Sequence, residues 1–455
     1  MSKVIVFATP IFLLMIALEY WWGLVRARKG TGYTTYTLSD TVNSISLGIL
    51  SQLSGALSKL LTIGIYTLVF SSVALFPDVA FWKTWYGALL ALVFYDFCYY
   101  WLHRAGHEVA LFWAAHVVHH QSQQYNLSTA LRQTSSGAWF GWIFYLPMAV
   151  AGVPPEVFAI VALVDLLYQF WVHTEQVGKL GWFDRVFCSP SNHRVHHAVN
   201  TPYLDKNYGG ILMLWDRMFG SFTEEREPCV YGTRGQLNSW DPLWANMEVY
   251  WALARDAWRT RHWADKLRIW FKPPGWQPAD LASADPKPPF VLEAVTRFNP
   301  PLTRGQQRYA ALQFAAALGS VAVLLWHVDD MPATEAALWC SAFTVGIWAS
   351  GRFLQGSLGM LEVLAVQSAA LATVSSTGLL GGFGMLKPLP MVIAIILVAA
   401  PALSKASKAS FMPFLLVALL FSLGGDIALL WPEQLFLVGL GLFLVAHGFY
   451  IALFR

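Results

Sequence analysis

Apolar residues in this chain come in long blocks rather than in strict alternation. Runs near 20 residues, about the length that crosses a hydrocarbon core as a helix, fall at 4–25, 42–74, 84–102, 137–152, 156–173, 307–328, 336–354, 358–382, 388–405, 411–431 and 434–454. The pattern predicts an all-α polytopic membrane bundle. The 42–74 run is long enough to tilt, kink or re-enter. Polar residues gather in 174–306, which is also rich in Trp and Pro. Short helices lying on the membrane surface are expected there, for instance over 240–266, then a Pro-rich linker around 273–301. Four regions result: an N-terminal transmembrane region (1–83), a histidine-rich catalytic region (84–240), interfacial helices with the linker (241–306) and a C-terminal transmembrane bundle (307–455).

Charge placement orients the spans. Arg26, Arg28 and Lys29 follow the first run, against Lys3 before it, so the positive-inside rule puts that end in the cytosol. Alternation then returns the 84–102 span to the cytosol at His103. The hairpin turning at Pro154 and Pro155 comes back at His173. Further on, Arg304, Arg308, Arg352, Lys405, Lys408 and Arg455 alternate with acidic or neutral turns at Asp329, Asp330, Glu335, 381–384 and Glu433, with Lys387 the exception. Composition agrees, with 56% hydrophobic and 13% charged residues and 22 Trp to serve interfacial belts. A net charge of +3, spread over short basic clusters beside apolar runs, offers nothing for nucleic acid. Cys98, Cys188, Cys229 and Cys340 stand apart, with no disulfide framework, as suits a reducing cytosolic face. The 4–25 run lacks a small-residue cleavage site and reads as a first span. The expected location is a multi-pass protein of the endoplasmic reticulum or bacterial inner membrane, its active site on the cytosolic face.

The chemistry lies in the histidines. Nine of the twelve fall between 103 and 197: His103 and His107, then His116, His119 and His120, then His173, then His193, His196 and His197. Positions three or four apart share a helical face. Span parity brings every cluster to one membrane surface. Neutral imidazole ligates iron, zinc and copper. Nine exceed the four ligands of a tetrahedral zinc and suit two metals of higher coordination number. His262, His327 and His447 read as ordinary structural residues. Glu108, directly after the first cluster, is either a solvated charge or a catalytic carboxylate that handles a proton or contacts a cofactor. Asp96 lies on the same helical face as His103 and about 10 Å deeper. It reads as a carboxylate accepting the outer N–H of a ligating imidazole. A non-catalytic or transporting metal-binding membrane protein is the rival class. Transport would favour ligands within the bundle, and these lie at span ends.

The boxes match the membrane fatty acid hydroxylase and sterol desaturase superfamily. More narrowly, YDFCYYWLHRAGHE (95–108), WAAHVVHH (113–120), YNLSTALRQ (125–133), LLYQFWVHTE (166–175), SNHRVHHAVN (191–200) and DKNYGGILMLWDRMFG (205–220) resemble the alkylglycerol monooxygenase family. That resemblance implies two Fe ions on the eight box histidines, with Glu108 at the family's HE pair. It also implies dioxygen as oxidant and tetrahydrobiopterin as reductant. An ether lipid would be hydroxylated at the carbon next to the ether oxygen, and the resulting hemiacetal would fall apart to a fatty aldehyde and a glycerol derivative. The second oxygen atom leaves as water, so two electrons must come from a soluble reductant or a separate donor protein. Within the superfamily, a sterol, fatty-acyl or carotenoid hydroxylase or desaturase is the alternative. At the other end, KPLPM (387–391) and 419–454 resemble the opening portion of the lysoplasmalogenase membrane family, with Asp426 on its GD pair. The chain ends before a second half with further carboxylates, so a structural or lipid-facing bundle is expected there rather than a hydrolase.

Overall fold

The computed structural model describes residues 2–59, 63–376, 412–428 and 432–453. Among them there is no β-strand, only two isolated bridges, Phe187 with Leu212 and Ala198 with Tyr231. The chain divides into two compact units, Met1–Asn299 and Pro300–Arg455. The first contains α1 (Ser2–Arg28), α2 (Leu38–Lys59), α3 (Ile65–Val73), α4 (Trp85–Glu108), the single turn α5 (Val117–His120), α6 (Trp142–Ala151), α7 (Pro155–Trp171), α8 (Pro190–His197), α9 (Pro242–Arg259) and α10 (Trp263–Phe271). The second contains α11 (Arg304–His327), α12 (Ala333–Leu354), α13 (Met360–Ser376), α14 (Met412–Ala428) and α15 (Pro432–Leu453).

Local chemistry starts these helices where it should. Thr84 Oγ1 accepts the Gly87 amide at 3.1 Å to open α4. Ser189 caps α8, with Pro190 in its first turn. Thr303 and Gln306 form a reciprocal capping box on α11. In the first unit α3, α4, α6 and α7 share an apolar core that includes Tyr66, Ala91, Tyr95, Met148, Phe158 and Val161. Tyr66 stacks on Phe158 at 4.2 Å and donates to the Val153 carbonyl at 2.9 Å. That core grips α4 along its length, so the histidines at its end are rigidly carried. Helix α1 is tied in by a buried carboxylate. Glu19 accepts the Leu127 amide at 2.8 Å and the hydroxyls of Tyr36 and Thr174. A carboxylate on so apolar a helix is stable only when paired in this way.

The helices depart from the apolar runs in three places. The 42–74 run holds two helices, α2 and α3. Helix α4 does not stop at 102 but continues through Glu108, which puts His103 and His107 one turn apart on a single face. The expected 240–266 helix breaks after Arg259, where the Asp280 carboxylate takes the Thr260 hydroxyl and the Arg261 amide. Of the expected spans, two described helices, Val4–Arg28 and Arg304–Asp330, are long and apolar enough to cross a membrane. Trp142–Ala151, Met360–Leu371 and Leu437–Ala446 are shorter apolar helices. The 388–405 run, with Lys387, Lys405, Lys408 and the KPLPM segment, lies outside the described residues, as do the side chains of Asp426 and His447.

Helix α2 approaches the segment after Asn126 so closely that a Cβ on Gly48 would sit 2.2 Å from the Leu131 carbonyl oxygen. Gly48→Ala should therefore push the 127–132 segment outward and cost about 1–3 kcal/mol, as overpacking does. A lowered thermal midpoint of the purified protein checks this, and an unchanged midpoint would refute the close approach.

Candidate metal centre

All nine clustered histidines meet in the first unit, in two adjoining groups. His103, His107, His116, His120 and His196 form one, and His119, His173, His193 and His197 the other. Within each group the nitrogens that could hold an ion lie within 4.8 Å of one another. All are buried except His116, which is partly so. The groups touch where the His120 and His197 rings stack with centroids 4.3 Å apart.

Helix geometry explains how the boxes divide. His116 and His120 are four residues apart, share a face and enter the five-histidine group, while His119 turns the other way. The third box does the reverse. His193 and His197 enter the four-histidine group and His196 crosses to the five. Each HxxHH thus gives a pair to one group and a single imidazole to the other.

Backbone carbonyls set the tautomers. His103 Nδ1 lies 2.8 Å from the Tyr208 carbonyl oxygen, His119 Nδ1 2.8 Å from that of Arg132, His173 Nδ1 2.7 Å from that of Gln169 and His196 Nδ1 3.0 Å from that of Lys206. A carbonyl can only accept, so each of these nitrogens carries the N–H and each Nε2 presents a lone pair. The Nε2 atoms of His119 and His173 nevertheless stand 3.1 Å apart. Neither can donate to the other. His193 Nε2 lies 3.1 Å from that of His173 and 3.2 Å from that of His197, around the same point. In the other group, Nε2 of His103, His107 and His196 is buried without a hydrogen-bond partner. An unpaired buried polar atom costs about 1–3 kcal/mol, and converging lone pairs repel. A cation in each group removes both penalties, so the donor set fits two metal ions. Burial first, then repulsion among the imidazoles, holds His116, His120, His193, His196 and His197 well below the ordinary histidine range and brings His119 down to about 4. The rings are neutral at physiological pH, the form that ligates.

The polar shell around the groups differs from the expected one. Asp96 is buried near the site, yet it accepts from no imidazole. Its oxygens take the Ile211 amide at 2.7 Å, the Leu212 amide at 3.0 Å and the Trp215 indole N–H at 2.8 Å. Outer support comes instead from the carbonyls above, because the loop after Asp205 comes closer to His103 than Asp96 does. Glu108 is 43% exposed, pairs with Arg104 at 2.9 Å and receives the Tyr208 hydroxyl at 3.4 Å. His262 and His327 are exposed, and neither belongs to either group.

Several residues that position the site carried no signal of their own in the sequence. Tyr208 is fully buried, with its ring 5.5 Å from that of His107. Asp216 holds the Tyr208 and Gly209 amides at 2.8 and 2.7 Å. Arg132 is buried and reaches the Val118 carbonyl and Asn43 at 2.7 and 2.8 Å. Asp205 Oδ1 faces His107 Nδ1 at 3.8 Å. All four lie within or beside the resembling blocks, but only the fold reveals what each one holds.

Comparison with known proteins points the same way. The fatty acid hydroxylase family matches residues 88–221, and the YhhN family matches residues 383–455. Alkylglycerol monooxygenase of Homo sapiens is 40% identical over 273 residues, 60% of this chain and 59% of that protein. The Danio rerio alkylglycerol monooxygenase is 34% identical over 397 residues, 84% of this chain and 83% of its own length. An ornithine lipid hydroxylase of Rhizobium tropici is 26% identical over 148 residues, 32% of this chain and 45% of that protein. No solved structure matches the chain.

His197 lies in one group and stacks on a member of the other, so its loss should weaken both. Purified protein is expected to carry about two metal ions per chain. His197→Ala should retain well under half of that, while His262→Ala stays at the wild-type level. Full metal content in His197→Ala, measured by elemental analysis, would remove it from the ligand set.

Proposed function

The chain belongs to the alkylglycerol monooxygenase family, and on that premise we propose that it is a di-iron membrane monooxygenase acting on ether lipids. It hydroxylates the carbon next to the ether oxygen of an alkylglycerol, and the hemiacetal collapses to a fatty aldehyde and a glycerol derivative. The observation that carries this reading is the pair of histidine groups whose inward lone pairs have no partner but a cation. One iron would be held by His103, His107, His116, His120 and His196, the other by His119, His173, His193 and His197. When bound, the metal pair supplies the reductive activation of dioxygen that attack on an unactivated C–H bond requires and that protein acids and bases cannot provide.

The chain's own residues do the rest. The carbonyls of Tyr208, Arg132, Gln169 and Lys206 orient the imidazoles and fix their tautomers. The Tyr208 ring covers the five-histidine group and keeps water off that side. Glu108, half-exposed and in reach of the Tyr208 hydroxyl, is placed to move a proton between solvent and the site. The same carboxylate is the natural contact for a soluble reductant, for which tetrahydrobiopterin is the family's choice.

A membrane setting supports this reading. Trp244, Met247, Trp251 and Trp258 recur at helical spacing along α9 and are all exposed, as are Trp263, Leu267 and Phe271 along α10. Such an aromatic stripe on helices rich in Arg and Lys suits the headgroup level of a bilayer. With α1 and α11 as spans, the protein is proposed to be multi-pass, in the endoplasmic reticulum or a bacterial inner membrane, with the histidines at the cytosolic face. Alkyl chains then enter from the lipid side, and dioxygen and reductant from the solvent side.

Two experiments test the assignment. Purified protein given a 1-alkylglycerol, tetrahydrobiopterin and iron should release fatty aldehyde in step with dioxygen uptake. Release that continues without dioxygen, or no release at all, would overturn it. Glu108→Gln should cut turnover by about 10²-fold, the usual worth of a positioned acid or base, with metal content unchanged. Unaltered turnover would return Glu108 to the role of surface ion-pair partner for Arg104.

A further inference from the structure

Two buried carboxylates hydrogen-bond to no imidazole of either group, and the reaction described above uses neither. Asp96 on α4 is 1% exposed and Asp165 on α7 is 2% exposed. They meet at Gly210, where a Cβ would lie 2.9 Å from Asp165 Oδ1 and 3.0 Å from Asp96 Oδ1. Only glycine lets the backbone pass between the two acids.

Their hydrogen bonds differ in kind. Asp96 receives three N–H groups spread over both oxygens, from Ile211, Leu212 and Trp215. A proton on either oxygen would remove an acceptor site and face a donor, so this arrangement selects the anion. Asp165 receives one donor, the Gln169 side-chain amide, at Oδ2 (2.6 Å). Its Oδ1 is buried without a hydrogen-bond partner and stands beside Asp96. Two anions so placed in an apolar bundle repel strongly. A proton on Asp165 Oδ1 removes the repulsion and leaves the Gln169 bond intact.

Each acid leads to one histidine group through a backbone carbonyl. Asp96 fixes residues 211 and 212 while Asp216 fixes the amides of Tyr208 and Gly209, so the loop that presents the Tyr208 carbonyl to His103 is held on both sides. Asp165 holds the Gln169 side chain, whose Oε1 also takes the Tyr99 hydroxyl at 2.7 Å. The Gln169 carbonyl, in the last turn of α7 where no helical amide follows to claim it, accepts from His173 Nδ1 at 2.7 Å. We propose that Asp96 and Asp165 form a positioning pair, the first anionic and the second neutral, that orients one imidazole in each metal group through a backbone carbonyl.

The pair rests on the metal-centre reading only for its purpose, so the test uses two independent readouts on the full-length protein. In the infrared spectrum of the metal-free protein, a buried protonated carboxylic acid should give a carbonyl stretch that Asp165→Asn abolishes. Persistence of that band in Asp165→Asn would overturn the charge assignment. The second readout is the rate at which a chelator strips iron from the loaded protein. Asp165→Asn, whose amide copies the neutral acid, should hold iron as the wild type does. Asp165→Ala and Asp96→Asn should lose it about 10–100-fold faster, the usual effect of disturbing groups that orient metal ligands. Wild-type retention in Asp165→Ala, or loss in Asp165→Asn equal to that in Asp96→Asn, would refute the pair. Failure of the wild type to cleave ether lipids while holding iron would sink the proposed substrate and leave both readouts standing.

Discussion

A neutral imidazole has one N–H and one lone pair, and a backbone carbonyl can take only the N–H. Four carbonyls, of Tyr208, Arg132, Gln169 and Lys206, therefore decide which nitrogen of His103, His119, His173 and His196 points into the site. Much of the polar structure in this apolar chain serves that constraint. Carbonyls in loops are useful only if the loops are fixed, and here buried side chains fix them. Asp216 and Asp96 hold the strip that carries Tyr208. Arg132, tied to α2 through Asn43 and to α5 through the Val118 carbonyl, holds itself. Unpaired, these buried groups would each cost stability. Paired, they give the inward lone pairs a fixed geometry before any ion arrives.

The layers of the first unit divide the work. The α3, α4, α6 and α7 core is apolar and rigid, and it delivers the two imidazoles of α4. A polar shell surrounds the histidine groups and sets their tautomers. Outside it the surface is not uniform. Glu108 and Asp205 give the five-histidine side partly exposed acidic groups, while α9 and α10 display tryptophans. The proposed reaction, which would bring together a long alkyl chain, a gas and a water-soluble electron donor, calls for this asymmetry, because its substrates would arrive from different phases.

How much of this was legible in advance follows from how far each signal reaches along the chain. The core helices α4, α6 and α7 and the histidine boxes are local patterns, with periods of three or four residues and lengths of a few turns. They are legible in 84–200, where span parity also leads to the expectation that the histidine clusters lie on one side, and the structure brings all nine together. Asp96 shows where local reading fails. Its spacing from His103 placed it on the correct face and near the site, but its partners come from a loop more than 100 residues later, and that loop intercepts it. The break between α9 and α10 escapes local reading for the same reason, while helix α4 simply continues past the end of its apolar run. At the α9–α10 break the Asp280 carboxylate sets the boundary, not the hydropathy of the run.

The sequence by itself determined the residue types and their clustering: eight imidazoles in boxes, with His173 between them, make a donor set suited to metal ions. Only the tertiary structure decided how they divide, five and four, with each HxxHH box split between groups. Helical spacing says that His116 and His120 share a direction and His119 does not. It cannot say which neighbour waits in either direction. That depends on where α8 crosses α5 and on which carbonyl meets each Nδ1, and both are set by packing between segments distant in sequence. Short-range order wrote the histidine boxes, and long-range contacts divided them between the two groups.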